Sequence, residues 1–350
     1  MDAIRTENLS KRYQGLRTVA HALSGLDLEV SPGEIFGYLG PNGAGKTTTL
    51  KLLMGLTLPS SGGAWLFGRP VGDPRARQGA GFMPEHPSAP GHLTCEELLT
   101  LCGRLSGLSR SGATRRAKHL LERTGLEEAA RKRMHCLSKG MLQWLGLAQA
   151  LVGEPQVLIL DEPMSGLDPV GRRRMRDIIL EERARGTTVF FSSHILADVE
   201  MICDRVGILL RGTLVQCGQL SRILNRRREG AEIRVTNLPP DVAERIVRMG
   251  AGIRRFGEET LIELQDGDGI DRVLQWTADA GARVQAVVPH RESLEEFFLE
   301  QVRCRTPEPA GFEGSGETGE TSGARAMAAT VLEPRERTES RESSARRSSR

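Results

Sequence analysis

The segment Gly40-Pro-Asn-Gly-Ala-Gly-Lys-Thr47 restricts the architecture of this chain more than any other. It fits the pattern G-x-x-x-x-G-K-[ST], which needs a strand before it and a helix after it. Glu34-Ile-Phe-Gly-Tyr-Leu39 supplies a short, mostly apolar run, and Thr48-Thr-Leu-Lys-Leu-Leu-Met54 follows with helix-compatible spacing. Gly40, Gly43 and Gly45 are expected to take positive-φ turns, so that the loop, Asn42 included, aims its N–H groups at an anion where a Cβ would obstruct. Lys46 can reach the β- and γ-phosphates, the Thr47 hydroxyl can ligate Mg²⁺, and Thr48 lies in the first turn of a helix whose positive end faces the same charge. ATP with Mg²⁺ is the implied ligand. The glycine spacing differs from that of the dinucleotide fingerprint G-x-G-x-x-G.

Val157-Leu-Ile-Leu-Asp-Glu-Pro163 is an apolar run of buried-strand length that ends in two acids. Neighbours on a strand point to opposite faces, so Asp161 and Glu162 are expected to do different work: Asp161 at the metal, Glu162 as general base. The bland alternative is a solvent-facing charge pair. Thr187-Thr-Val-Phe-Phe191 reads as another buried parallel strand, and His194 falls just past it, where ligands bind in α/β sheets.

Together with Leu137-Ser-Lys-Gly-Met141, Ser165-Gly-Leu-Asp168 and His194, these segments make residues 3 to 220 resemble the nucleotide-binding subunit of ATP-binding cassette (ABC) transporters. The resemblance implies a signature motif whose Ser138 and Gly140 contact the γ-phosphate held by an opposite subunit. It further implies a D-loop ending at Asp168, a γ-phosphate switch at His194, and an adenine-stacking aromatic at Tyr13. From the residues alone, Leu-Ser-Lys-Gly is a helix N-cap signal.

The chain departs from that pattern in places. Lys139 and Met141 replace a Gly and a Gln, and Glu85, in Phe82-Met-Pro-Glu85, replaces the glutamine of the Q-loop that couples nucleotide to the membrane partner. Glutamate keeps an oxygen for Mg²⁺ but adds negative charge near a triphosphate. Trp144 stands where the resemblance places an arginine; the expectation is that it packs against apolar neighbours.

The resemblance and the patterning imply an α/β fold: a P-loop NTPase core of the ABC type over residues 1–225, with a mixed sheet, an antiparallel β flank and a helical subdomain at about 92–150. Leu26-Asp-Leu-Glu-Val30 alternates as an antiparallel strand should, Val206 to Gln216 reads as a hairpin around Arg211-Gly212, and Thr94-Cys-Glu-Glu97 is a capping box. Residues 231–303 predict strand, helix, two strands, helix, strand and a last helix, a small α+β accessory domain. Residues 305–350, rich in Gly, Glu, Ser, Thr and Arg, are expected to be a disordered tail. Arg172-Arg-Arg174 reads as a solvated helix face.

No apolar run approaches the roughly 18 residues of a membrane span, and no secretory leader is evident, so a cytoplasmic chain is expected. A net charge of +3 over 350 residues gives no electrostatic case for nucleic acid. Six cysteines, without C-x-x-C pairs, read as reduced structural thiols. The closing Ser293-Leu-Glu-Glu-Phe-Phe298 resembles the end of ABC-2 type exporter ATPases. The resemblance therefore implies an ATPase subunit that dimerises around ATP, as a homodimer or with a related chain, and drives a separate transmembrane permease from the inner face of the membrane, exporting drug, lipid or polysaccharide. The alternative is a soluble ABC ATPase that remodels a nucleic-acid or ribosomal complex.

Overall fold

The structure, a computed structural model, describes residues 1–14, 18–224, 230–264, 269–289 and 294–298. The expected tail at 305–350 lies outside them, as does Cys304. All the described residues belong to one compact unit, Met1–Thr306.

Two sheets build the first part. Strands β1 (Ile4–Gln14), β2 (Val19–Val30), β4 (Ser61–Leu66) and β5 (Arg69–Pro70) pair antiparallel in the order β2-β1-β4-β5, the expected flank. Strands β3 (Ile35–Leu39), β6 (Ala80–Met83), β7 (Val157–Asp161), β8 (Thr188–Ser193), β9 (Arg205–Leu210) and β10 (Thr213–Gln219) form a second sheet in the order β10-β9-β3-β8-β7-β6. It is parallel except for β10, which returns antiparallel from β9 through Arg211 (φ 48°) and Gly212 (φ 80°), the paired left-handed residues a tight hairpin needs.

Strands β3, β7 and β8 are buried throughout, which is why they read as unbroken apolar runs. Their side chains still alternate between two cores. Phe36, Tyr38, Ile159 and Phe190 face the antiparallel flank and the helix α1 (Lys46–Leu53). Ile35, Leu39, Leu160 and Phe191 face the opposite core. Phe36 and Phe190 stack with centroids 5.5 Å apart, a contact that adds on the order of 1 kcal/mol to the burial of both rings.

The second core is closed by α2 (Cys95–Leu105), α3 (Arg110–Thr124), α4 (Lys139–Leu151), α5 (Pro169–Ala184) and α6 (Leu196–Ile202), with the short α7 (Leu220–Leu224). Each long helix is started by a side chain in the sequence: Thr94 and Glu97 form the reciprocal capping box of α2, Ser109 caps α3, Ser138 caps α4, and Asp168 with Pro169 begins α5. The arginine run at 172–174 is not a purely solvated face. Arg172 Nε donates to the Leu167 carbonyl, and Arg174 donates to the Arg123 carbonyl while its guanidinium lies 5.4 Å from the Trp144 ring centroid.

Beyond α7, strands β11 (Ala231–Thr236), β12 (Gly252–Phe256), β13 (Glu259–Leu264) and β14 (Arg283–Pro289) form an antiparallel sheet in the order β12-β13-β11-β14. Helices α8 (Pro240–Arg248) and α9 (Ile270–Asp279) accompany it, with a core of Ile233, Val235, Ile246, Ile262 and Val273. The element order is the expected one. Residues 294–298 are helical; Leu294 and Phe297 are buried in the same core as Val199 and Ile202 of α6, and the Leu294 N–H donates to the Glu200 carboxylate.

Candidate functional site

Three neighbouring strands deliver the chemistry. β3 leads into the glycine loop, β7 ends at Asp161, and β8 leads to His194; in the parallel register Leu39 lies opposite Ser193, and Asp161 opposite Ser192. Adjacent strands lie roughly 5 Å apart. Loops leaving their C-terminal ends must therefore meet. They bound a cleft of about 410 Å³ whose walls include Asn42, Gly43, Gly45, Lys46, Thr47, Thr48, Glu85, Glu162 and His194.

The glycines have separate reasons. Gly43 (φ +80°) has open space around it and needs only the left-handed conformation. Gly45 (φ +109°) needs both conformation and space, since a Cβ would sit 2.3 Å from the Ala22 carbonyl oxygen. Gly40 corrects the expectation of a positive-φ turn at all three: it does not adopt one, and a Cβ there would lie 2.5 Å from the Leu209 carbonyl oxygen of β9. It is small because two backbones cross.

Lys46 is 6 % exposed, and its Nζ donates to the Gly40 carbonyl at 2.7 Å. The same Nζ lies 3.2 Å from Glu162 Oε1. That oxygen is buried and makes no directed hydrogen bond, so the ammonium faces it as a charge. Glu162 Oε2 accepts from the His194 backbone N–H at 3.3 Å and lies 2.7 Å from His194 Nδ1.

Asp161 closes β7, and Glu162 lies beyond the strand in the left-handed region (φ 49°). Glu162 lines the cleft, whereas Asp161 is buried behind it, hydrogen-bonded to Ser192 and to the cleft residue Thr47. Period-two alternation ends where the strand ends. Asp161 is 1 % exposed and accepts from Ser192 Oγ at 2.6 Å; burial pushes its carboxyl above the usual range, against the opposing effect of its hydrogen bonds with Ser192 and Thr47.

These oxygens suit a hard cation. Among the described residues no group of three or more His, Cys, Asp or Glu forms a metal cage. Mg²⁺ does not need one, since it takes one or two carboxylates with phosphate oxygens and water. A buried, hydrogen-bonded Asp161 beside the Thr47 hydroxyl, with Glu85 lining the cleft, fits that requirement.

Other expected site residues lie elsewhere in the chain. Tyr13, on β1, is 41 % exposed with the Lys11 ammonium 5.0 Å from its ring centroid, and it is not part of the cleft wall. Ser138 accepts from the Met141 N–H at 3.2 Å, and Asp168 from the Gly171 N–H at 2.7 Å. Gly140 lies near Leu167, and the Lys139 stem packs over Gly166, so the Ser138 and Asp168 segments sit side by side, and neither lines the cleft. Sequence reasoning missed Ala22, Ser192 and Gln143. Ser192 is fully buried and accepts from the Glu162 N–H at 3.0 Å; a serine closing a buried strand was the available signal.

This arrangement defines a nucleotide-binding domain of the ABC class, in which a phosphate loop, paired acids and a histidine converge while the Ser138-capped helix α4 starts outside the cleft lining. A sequence-family profile described as ABC transporter matches residues 23–165. An ABC transporter ATP-binding protein of Nostoc sp. is 40 % identical over 306 residues, covering 86 % of this chain and 90 % of that one. Nod factor export ATP-binding protein I of Burkholderia lata is 41 % identical over 213 residues, covering 60 % and 69 %. The solved structure of an ATP-binding subunit of an ABC transporter matches with a TM-score of 0.59 at 33 % identity, covering 64 % of this chain and 92 % of that one. The chain belongs to the ABC transporter ATP-binding proteins and is an ATPase of that family. No helix among the described residues is long and apolar enough to cross a membrane.

Proposed function

We propose that this ATPase pairs with a second ATP-binding subunit around two ATP molecules and drives a separate transmembrane permease, exporting a drug, lipid or polysaccharide from the cytoplasmic face of the membrane. The observation that carries the reading is that Ser138, Gly140 and Asp168 do not line the Lys46–Glu162 cleft of their own chain. A helix start that its own cleft does not use is employed when a second copy presents its nucleotide to it. Export is favoured by kinship with the Nod factor export protein.

In this reading residues 1–225 are the motor, with its helical subdomain at about 92–150, and 231–303 are the accessory domain. Tyr13 stacks on adenine. The loop N–H groups of Asn42, Gly43 and Gly45, with Thr48 in the first helical turn, surround the phosphates. Thr47 and Asp161, with Glu85, would hold Mg²⁺, which when bound would supply charge neutralisation for the phosphates.

Lys46 exchanges the Gly40 carbonyl and Glu162 for phosphate oxygens. That exchange frees the Glu162 carboxylate to accept the proton of an attacking water, whose oxygen bonds phosphorus as the bond to the ADP oxygen breaks; ADP, phosphate and the proton are the products. His194 keeps Glu162 aimed and touches the γ-phosphate. Ser138, Gly140 and Asp168 act on the nucleotide of the opposite subunit. Co-expression with candidate permeases tests the transport reading: vanadate-sensitive ATPase activity stimulated in a membrane complex supports it, and copurification with ribosomes or DNA in place of membranes would falsify it.

A further inference from the structure

Gln143 is 2 % exposed on α4, the helix that Ser138 begins. Its amide nitrogen donates to the Glu162 carbonyl at 3.1 Å and to the Pro163 carbonyl at 3.0 Å. A glutamine NH₂ carries two protons, so both carbonyls are served at once. Between those contacts and β7 sits Glu162, a non-glycine residue in the left-handed region, a conformation that L side chains rarely adopt and that persists only where the surroundings over-determine it.

The restraints on Glu162 come from both sides. Its N–H is held by Ser192 Oγ, which in turn donates to Asp161. Its carbonyl is held by Gln143. The nearest substitutes for Gln143 lack this second clamp: asparagine is shorter by a methylene, leucine donates nothing, and an ionised glutamate turns a lone pair toward two carbonyl oxygens.

We propose that Gln143 is a positioning residue for hydrolysis, fixing the left-handed backbone from which the Glu162 carboxylate reaches the cleft and tying that carboxylate to the placement of α4. The inference rests on the reading of Glu162 as general base. Gln143 lies five residues along α4 from Ser138, about 1.4 turns or about 7.5 Å at 1.5 Å per residue. A displacement of the signature end of α4, where the partner's nucleotide is engaged, is delivered to the base of the same chain. The two half-sites are coupled through one buried amide.

The test compares full-length wild type, Gln143→Leu, Gln143→Glu, Glu162→Gln and the double variant Gln143→Leu/Glu162→Gln for kcat, KM and affinity for a fluorescent ATP analogue. Gln143→Leu is expected to lose about tenfold to a hundredfold in kcat, the penalty of a misplaced catalytic group, with analogue affinity within about threefold of wild type. Gln143→Glu is expected to recover relative to wild type by about fivefold as pH falls from 8 to 6, because a buried carboxyl is protonated more readily and then regains one donor. The double variant is expected to be no slower than Glu162→Gln alone. An unchanged kcat in Gln143→Leu, a Gln143→Glu to wild-type ratio that is flat with pH, or additive losses in the double variant would each overturn the role of Gln143. Wild-type turnover in Glu162→Gln would overturn the base assignment itself, an outcome visible without reference to the Gln143 variants.

Discussion

The Lys46 ammonium and the Glu162 carboxylate lie 3.2 Å apart, and each side chain is 7 % exposed. The residue that grips phosphate and the residue that activates water are each other's counter-charge. Breaking a buried pair from one side leaves the other charge uncompensated, a loss that an isosteric neutral acceptor softens by keeping a polar contact. Lys46→Met is expected to cost on the order of 2–3 kcal/mol in urea denaturation, Glu162→Gln less than about 1 kcal/mol, since Lys46 keeps the Gly40 carbonyl. A Lys46→Met variant as stable as wild type would contradict the pairing.

Gly43 and Gly45 separate conformation from space. Gly43→Ala meets no atom and is expected to cost about 1–2 kcal/mol for its left-handed backbone while the fold is retained. Gly45→Ala drives a methyl into the Ala22 carbonyl and is expected to lose ATP binding altogether. Melting temperatures and equilibrium dialysis with ATP distinguish the two.

Asp161 carries a pH signature. Its carboxyl is raised by burial, so the folded state holds the ionised form less well than the unfolded chain does. Stability tied to this group is therefore present below the ordinary value of 3.8 and is lost as pH rises through the raised one. Asp161→Asn is expected to raise the melting temperature of the nucleotide-free protein at pH 7.5 and to lose that advantage toward pH 4, while its ATPase activity is abolished. A melting advantage that grows toward acid would have the wrong sign.

Trp144 is half-buried against the core with the Arg174 guanidinium over its ring. Restoring the cation with Trp144→Arg would set two guanidinium groups together and remove aromatic burial, at an expected cost of about 1–2 kcal/mol. Hydrolysis should not accelerate. A several-fold faster Trp144→Arg enzyme would show that the tryptophan impairs catalysis rather than packing.

What was legible in the sequence follows physical lines. β3, β7 and β8 announce themselves as apolar runs because both their faces are covered, and α2 declares its start through Thr94 and Glu97. The convergence of Lys46, Asp161, Glu162 and His194 follows from strand order, which motif spacing implied through resemblance and periodicity could not supply. The left-handed turn at Glu162 was hidden, since alternation assumes a continuing strand. The reason for Gly40 was hidden too: the backbone it must clear belongs to Leu209, far along the chain. Gln143 gave no signal because its amide serves carbonyls on another element.

The central claim, a composite site completed by a second subunit with Glu162 as the base, is tested most directly by light scattering on full-length Glu162→Gln with and without ATP. Trapped before hydrolysis, the variant should double its mass when ATP is added, and Lys46→Ala introduced into it should abolish the change. A Glu162→Gln chain that binds ATP, as seen by dialysis, yet keeps the mass of a monomer would contradict self-pairing around the nucleotide.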